Sequence, residues 1–318
     1  MKQGLYIAAA LAMDAALGDP RWAPHPVRII GNLAAKLEGA TRKAIGNQKT
    51  AGAVTAIAIV GGAWFLSWAV VAGANKLSVY IGAVASVFVI YTTIALRDLS
   101  DHAMRVYKAL CAGDMEKARG AVAMIVGRDT ADLSEEDVAR ACVESVAESM
   151  VDGVTAPIFY AALGGAPLAM AYRAVNTLDS IFGHKDEKYI RFGWASARLD
   201  DAANYIPSRL TAPLVALAAL ILRMDASGAM RTWRRDARKH ESPNSGHAES
   251  AVAGALGLRL GGTRSYDGVE ARSPFIGEAI NPLTRESIPM VLKLVNATSV
   301  LFAAMVIVVS VLAARLLF

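Results

Sequence analysis

Three stretches without a single charged residue, 50–75, 77–96 and 294–314, limit this chain before anything else does. A bilayer core of roughly 30 Å takes about 20 apolar residues in an α-helix. A helix satisfies its own backbone there, so each stretch is predicted to be a membrane-spanning helix. The first two are separated only by Lys76, which predicts a helical hairpin. Composition agrees: 54% of residues are hydrophobic, 19% are charged and the mean hydropathy is +0.36, a balance that argues against an ordinary soluble enzyme.

Other apolar runs are harder to place. Residues 4–17 are short for a span, contain Asp14, and lack the basic region and cleavage site of an exported leader. Residues 153–172 are uncharged, but Pro157 and the "GGAP" at 164–167 divide them, which predicts a broken or re-entrant segment. The run 210–222 is only 13 residues long. The loops 18–49, 97–152, 173–209 and 223–293 all carry Lys and Arg, and the positive-inside rule places them in the cytoplasm. On that assignment 153–172 and 210–222 cannot both be simple crossings. The expected fold is all-α: one polytopic membrane bundle over 1–318 with helical, motif-rich cytoplasmic loops. A net charge of +5 then marks the cytoplasmic face, and no nucleic-acid partner is expected. Cys111 and Cys142 fit neither a disulfide framework nor a thiolate metal site.

The loops are too rich in polar motifs to be plain connectors. "GDPRWAPHPVRIIGNL" at 18–33 brings His25 and Arg28 close to Asp19 around three prolines, with Trp22 as an interfacial anchor. In "VGRDTADLSEEDVARACVESVAESMVDGV" at 126–154, Ser134 with Asp137 starts a helix expected to reach Asp152. Glu144, Glu148 and Asp152 then fall at i, i+4 and i+8 on one face. Like charges at that spacing repel, and either Mg²⁺ or a solvated face with Arg140 paired to Glu144 relieves them. The stretch 176–210 sets Lys185, Lys188 and Arg191 beside Asp200, Asp201 and Asn204, a mixture suited to phosphate and its metal or to anionic lipid.

In "HESPNSGHAESAVAGALGLRLGG" at 240–262, Ser242 reads as an N-cap, Pro243 as the first helical residue and Gly257 as the stop. The N–H groups of Asn244, Ser245 and Gly246 would then seat a phosphate or carboxylate. His240, His247 and Glu249 are candidates for proton transfer. The histidines are seven residues apart and do not match a zinc-protease pattern.

These four stretches together resemble the cobalamin-biosynthesis CbiB/CobD family, the adenosylcobinamide-phosphate synthases, in the family's order and over almost the whole chain. The resemblance implies a multi-pass cell-membrane enzyme that joins (R)-1-aminopropan-2-ol or its O-phosphate to the f-propionate of adenosylcobyric acid. It implies ATP and Mg²⁺ as co-reactants, a corrinoid as substrate, and lipid and other late cobalamin-pathway membrane enzymes as neighbours. The chain has no GxxxxGK[ST] loop, so nucleotide would be held differently. Catalytic roles are expected for His247, Glu249, His240, Asp200 and Asp201. Substrate or phosphate contacts are expected from His25, Arg28, Lys185, Arg191, Asn204, Ser242, Asn244, Ser245 and Gly246, and metal contacts from Glu144, Glu148 and Asp152. An AmpE-like membrane regulator and a transporter are the alternatives.

Overall fold

A computed structural model describes the backbone of residues 2–19, 25–184, 186–266 and 268–316, and side chains through residue 312. Among the described residues the chain forms α1 (Lys2–Leu17), α2 (Pro26–Ala44), α3 (Gln48–Leu77), α4 (Val79–Tyr91), α5 (Leu96–Cys111) and α6 (Met115–Ala123). It continues with α7 (Glu135–Met150), a π-helical turn (Val151–Thr155), α8 (Ala156–Phe182), α9 (Trp194–Ile221) and α10 (Ala226–Asp236). After a 3₁₀ turn (Ala237–Lys239) come α11 (Ser245–Leu256), β1 (Arg259–Tyr266), β2 (Val269–Gly277) and α12 (Ser287–Leu316). Five helical stretches are long and apolar enough to cross a membrane: Gln48–Leu77, Val79–Cys111, Glu135–Phe182, Trp194–Ile221 and Ser287–Leu312. The chain is a polytopic helical protein, as the uncharged runs predict. Its contacts sort into two compact units, each made of discontinuous segments: Met1–Ala95, Ala156–Asn204 and Ala303–Phe318 form one, and Leu96–Thr155 and Tyr205–Phe302 the other.

The first unit holds the expected hairpin, α3 and α4, joined through Ser78 alone. Asn47 caps α3 by accepting the N–H groups of Lys49 and Thr50, and Ser78 caps α4 through Tyr80. Polar residues within these helices bond back to their own turn, Thr55 to Ala51 and Ser86 to Gly82, which satisfies those hydroxyls inside the helix. The core joins the start of α3, through Ala51, Ala56 and Ile59, to the end of α8, through Met170, Ala174, Leu178 and Phe182. At Gly52 a Cβ would overlap the carbonyl of Phe192, so the bare backbone lets the chain cross here.

The broken segment lies within α8, at Gly164 (φ −140°, ψ 18°) and Gly165 (φ 69°, ψ −162°). That Gly165 conformation is open essentially to glycine alone. The rings of Tyr160 and Tyr172 stack at 5.0 Å, whereas residues twelve apart on a straight helix are displaced by about 18 Å along its axis. The chain therefore folds back between 156–163 and 166–182. The short run 210–222 belongs to the 28-residue α9, which carries Pro207 and Pro213 inside it. Its polar first half is helical too, which hydropathy alone does not reveal.

In the second unit Ser134 caps α7 by accepting the Asp137 N–H, as expected, but the α-helix stops at Met150 and gives way to the π turn. α10 and α11 cross where Gly228 and Gly254 face each other, and a Cβ on either would overlap the other's carbonyl. One element departs from the all-helical expectation. β1 and β2 pair antiparallel, Arg259 opposite Gly277 and Tyr266 opposite Val269, with an irregularity between Leu260 and Gly262.

Candidate functional site

α11 begins at Ser245, two residues later than the sequence predicts, and ends at Gly257 in the left-handed conformation (φ 63°) as predicted. The delay changes what the helix start offers. Ser242 Oγ accepts the N–H groups of Asn244 and Ser245, both at 3.2 Å, so two of the three donors expected to seat an anion are already used. Gly246 packs against the chain, for a Cβ there would overlap the Ala237 carbonyl and crowd the His240 side chain. Its smallness serves a backbone crossing where ligand access was expected. Asn244 Oδ1 receives Arg209 Nη1 at 3.2 Å and Ser208 Oγ at 3.4 Å.

One turn along α11, Glu249 is 2% exposed. Its Oε1 lies 3.4 Å from His240 Nε2, and its Oε2 has no hydrogen-bond partner. Burial, then the nearby Glu148 and Glu144, push its carboxyl well above the usual range, which favours the protonated acid. His240 Nδ1 accepts the Ser242 N–H at 2.9 Å, which leaves the proton of a neutral His240 on Nε2, facing Glu249. His247 Nδ1 accepts the Trp233 indole N–H at 2.8 Å. Burial, with Arg209 and Arg238 adding to it, lowers the His247 imidazole to about 4. In both imidazoles Nδ1 is thus already engaged as an acceptor.

The acidic face of α7 is divided among different partners. Glu144, 3% exposed, is held by Arg128, by Arg264 at 3.1 Å and by the Gly261 N–H at 2.7 Å. Two guanidiniums thus occupy the carboxylate that was expected to face a cation. Glu148 is exposed and accepts from Ser245 Oγ at 2.8 Å. Asp152 sits in the π turn, outside the regular i+8 register. Among the described residues no three of His, Cys, Asp and Glu are grouped to hold a metal ion, so Glu144, Glu148 and Asp152 do not fit a shared Mg²⁺ seat. Arg140 pairs with Glu136 and Asp137 instead of Glu144.

Within the first unit, Asp200 Oδ2 accepts from Asn204 Nδ2 at 3.0 Å, and Asn204 Oδ1 accepts from Tyr172 at 2.8 Å. Asp201 pairs with Arg198 at 3.4 Å, and His25 Nε2 lies 3.5 Å from Asp19. Arg28 and Arg191 are exposed, and Lys188 lies 3.9 Å from Glu38. Lys185 and the turn at 20–24 with Trp22 lie outside the described residues. The second unit thus gathers Glu144, Glu148, His240, Ser242, Asn244, Ser245, Gly246, His247 and Glu249, while the first links Asp200 with Asn204. Sequence reasoning missed Trp233, Arg128 and Arg264, whose partners lie 14, 16 and 120 residues away along the chain. The "GRD" at 127–129 was the one available signal for Arg128.

Comparison with known proteins gives the same answer as the four motifs. The family model described as CobD/Cbib protein matches residues 7–295. The "Cobalamin biosynthesis protein CobD" of Leptospira interrogans is 44% identical over 295 residues, 93% of this chain and 94% of that protein. Proteins of the same name from Geobacter metallireducens and Clostridium perfringens are each 47% identical, over 88% and 84% of this chain and 88% and 85% of their own length. No solved structure matches. The chain belongs to the CobD/CbiB family.

Proposed function

We propose that this protein serves cobalamin biosynthesis in the cytoplasmic membrane as an adenosylcobinamide-phosphate synthase. It joins the amine of (R)-1-aminopropan-2-ol O-phosphate to the f-propionate of adenosylcobyric acid. The match to the family across residues 7–295 carries the reading. Amide formation from a carboxylate and an amine expels water and needs an activated acyl group. ATP supplies it: a carboxylate oxygen takes the γ-phosphoryl group and ADP leaves. The amine nitrogen then attacks the acyl carbon, inorganic phosphate departs with the electrons of the broken C–O bond, and the nitrogen loses a proton.

The side chains around the head of α11 suit the second half of that sequence. Glu148 is the exposed carboxylate, oriented by Ser245, that meets the substrate ammonium. Arg209, fixed on Asn244, supplies positive charge beside His247 for a phosphate or a developing oxyanion. Glu249 and His240 form the buried wall and keep a proton out of bulk water. Mg²⁺ enters with the nucleotide, since Glu144 is committed to arginine. The deciding experiment incubates purified protein with cobyric acid, aminopropanol phosphate and Mg-ATP and seeks the amide by mass spectrometry. Product that requires all three is expected; its absence from folded protein rejects the assignment.

A further inference from the structure

His247 has surroundings that no local spacing in the sequence encodes. It lies in the first turn of α11, half-buried, with its backbone N–H bonded to the Asn244 carbonyl at 3.1 Å. The indole N–H of Trp233 on α10 donates to Nδ1 at 2.8 Å, and the two rings meet edge to face with centroids 6.2 Å apart. A proton on Nδ1 would oppose the indole proton, so this contact selects the tautomer with its proton on Nε2. The charged neighbours, Arg209 from α9 and Arg238 from the 3₁₀ turn, are both cations and oppose an imidazolium. Nε2 makes no hydrogen bond among the described residues and is not among the buried unpartnered atoms. A base needs a free lone pair on the nitrogen that meets substrate, and here that nitrogen carries the proton.

We propose that His247 acts as a neutral hydrogen-bond donor from Nε2 to an oxyanion, held in that role by the Trp233 indole, and not as a general base. The ligand is a phosphate oxygen of the substrate or the oxyanion that develops at the acyl carbon, and its presence at this site rests on the function proposed above. Trp233 is a positioning residue. Unlike an imidazole switching between proton states, such a donor is in place before charge develops and needs no reorganisation.

The test combines a spectroscopic reading with a substitution series on the full chain. In protein ¹⁵N-labelled at histidine, the wild type is expected at neutral pH to show a protonated Nε2 and an unprotonated Nδ1. Trp233→Phe is expected to release that preference. His247→Gln presents an amide N–H near the position of Nε2, so it is expected to retain turnover within about tenfold of wild type, whereas His247→Ala and His247→Asn fall by about 10²-fold. A loss in kcat identifies the acyl oxyanion, and a rise in KM for aminopropanol phosphate identifies the phosphate. A proton found on Nδ1, an imidazolium at neutral pH, or a Gln variant as poor as Ala overturns the proposal. If the wild type makes no amide, the proposed function fails, and the labelled spectrum with added inorganic phosphate still decides: a shifted Nε2 signal supports the donor and an unmoved one rejects it.

Discussion

A glutamic acid sealed beside two other glutamates is expensive to ionise, and Glu249 shows how the protein deals with that. Its folded carboxyl is raised well above the usual range, by burial first and then by Glu148 and Glu144. In the unfolded chain a glutamate titrates near pH 4.3 or so. Between that pH and the folded value the unfolded state has released a proton that the folded state keeps. Stability therefore falls as pH rises, by up to about 1.4 kcal/mol per unit. Glu249→Gln keeps the shape of the neutral acid and cannot ionise. It is expected to match wild type near pH 4 and to become progressively more stable than wild type toward pH 8, in thermal unfolding of detergent-solubilised protein. A variant that is less stable at every pH would show that Glu249 is folded as a carboxylate. The sequence made the histidines and Glu249 visible as a cluster, but the tautomers depend on Trp233 and the Ser242 N–H, which no local spacing encodes.

At the scale of elements, the open end of the β1–β2 pair is fastened on both strands by buried carboxylates. Glu144 takes the Gly261 N–H where β1 is irregular, and Asp236 takes the Gly277 N–H at the end of β2 at 2.9 Å. Burial alone would raise the Asp236 carboxyl, but its hydrogen bonds from Arg235, Lys239 and Gly277 outweigh burial and hold it well below the usual range. The linkage here has the opposite sign to Glu249. The stabilisation is complete above the unfolded value near pH 3.9 and is lost as pH falls through the depressed folded value. Asp236→Asn removes the charge from between two cations and is expected to cost about 3 kcal/mol at neutral pH. Protease cleavage at 266–269 should rise with it; an unchanged cleavage rate would show that the hairpin does not depend on this anchor. The strands were hidden in the sequence because paired glycines at 261–262 interrupt the alternation of β1, although Asp267-Gly268 is a recognised turn signal. α9 was under-read for another reason: its charged and polar first half contributes no hydropathy, so only 210–222 stood out.

For the molecule as a whole, the path through the membrane turns on the glycine pair at 164–165. In the first unit Arg42, at the end of α2, donates to the Lys188 carbonyl at 2.9 Å, and the Lys49 ammonium lies 5.3 Å from the centre of the Trp194 ring. The start of α3 and the segment following α8 therefore share one end of that unit. α3 and α4 form a hairpin and return the chain to the end where α3 began. If α8 crossed once from that end, Lys188 would emerge on the face opposite Arg42, and the bond between them excludes this. The fold-back at Gly164 and Gly165 resolves the conflict by bringing 166–182 back to the end from which it entered. Arg42, Lys43, Lys49, Lys188 and Arg191 gather at that end, and the α3–α4 turn has only Lys76, so the positive-inside rule predicts that the crowded end faces the cytoplasm. With the exposed Cys111 replaced by Ser, Gly46→Cys and Glu187→Cys are expected to react with an impermeant thiol reagent only from the cytoplasm, and Leu77→Cys only from the other side. A Cβ at Gly46 meets nothing within 4 Å, so that label reports on topology without disturbing the packing. Labelling of Gly46→Cys and Glu187→Cys from opposite faces would make α8 a plain crossing and remove the re-entrant hairpin from the fold.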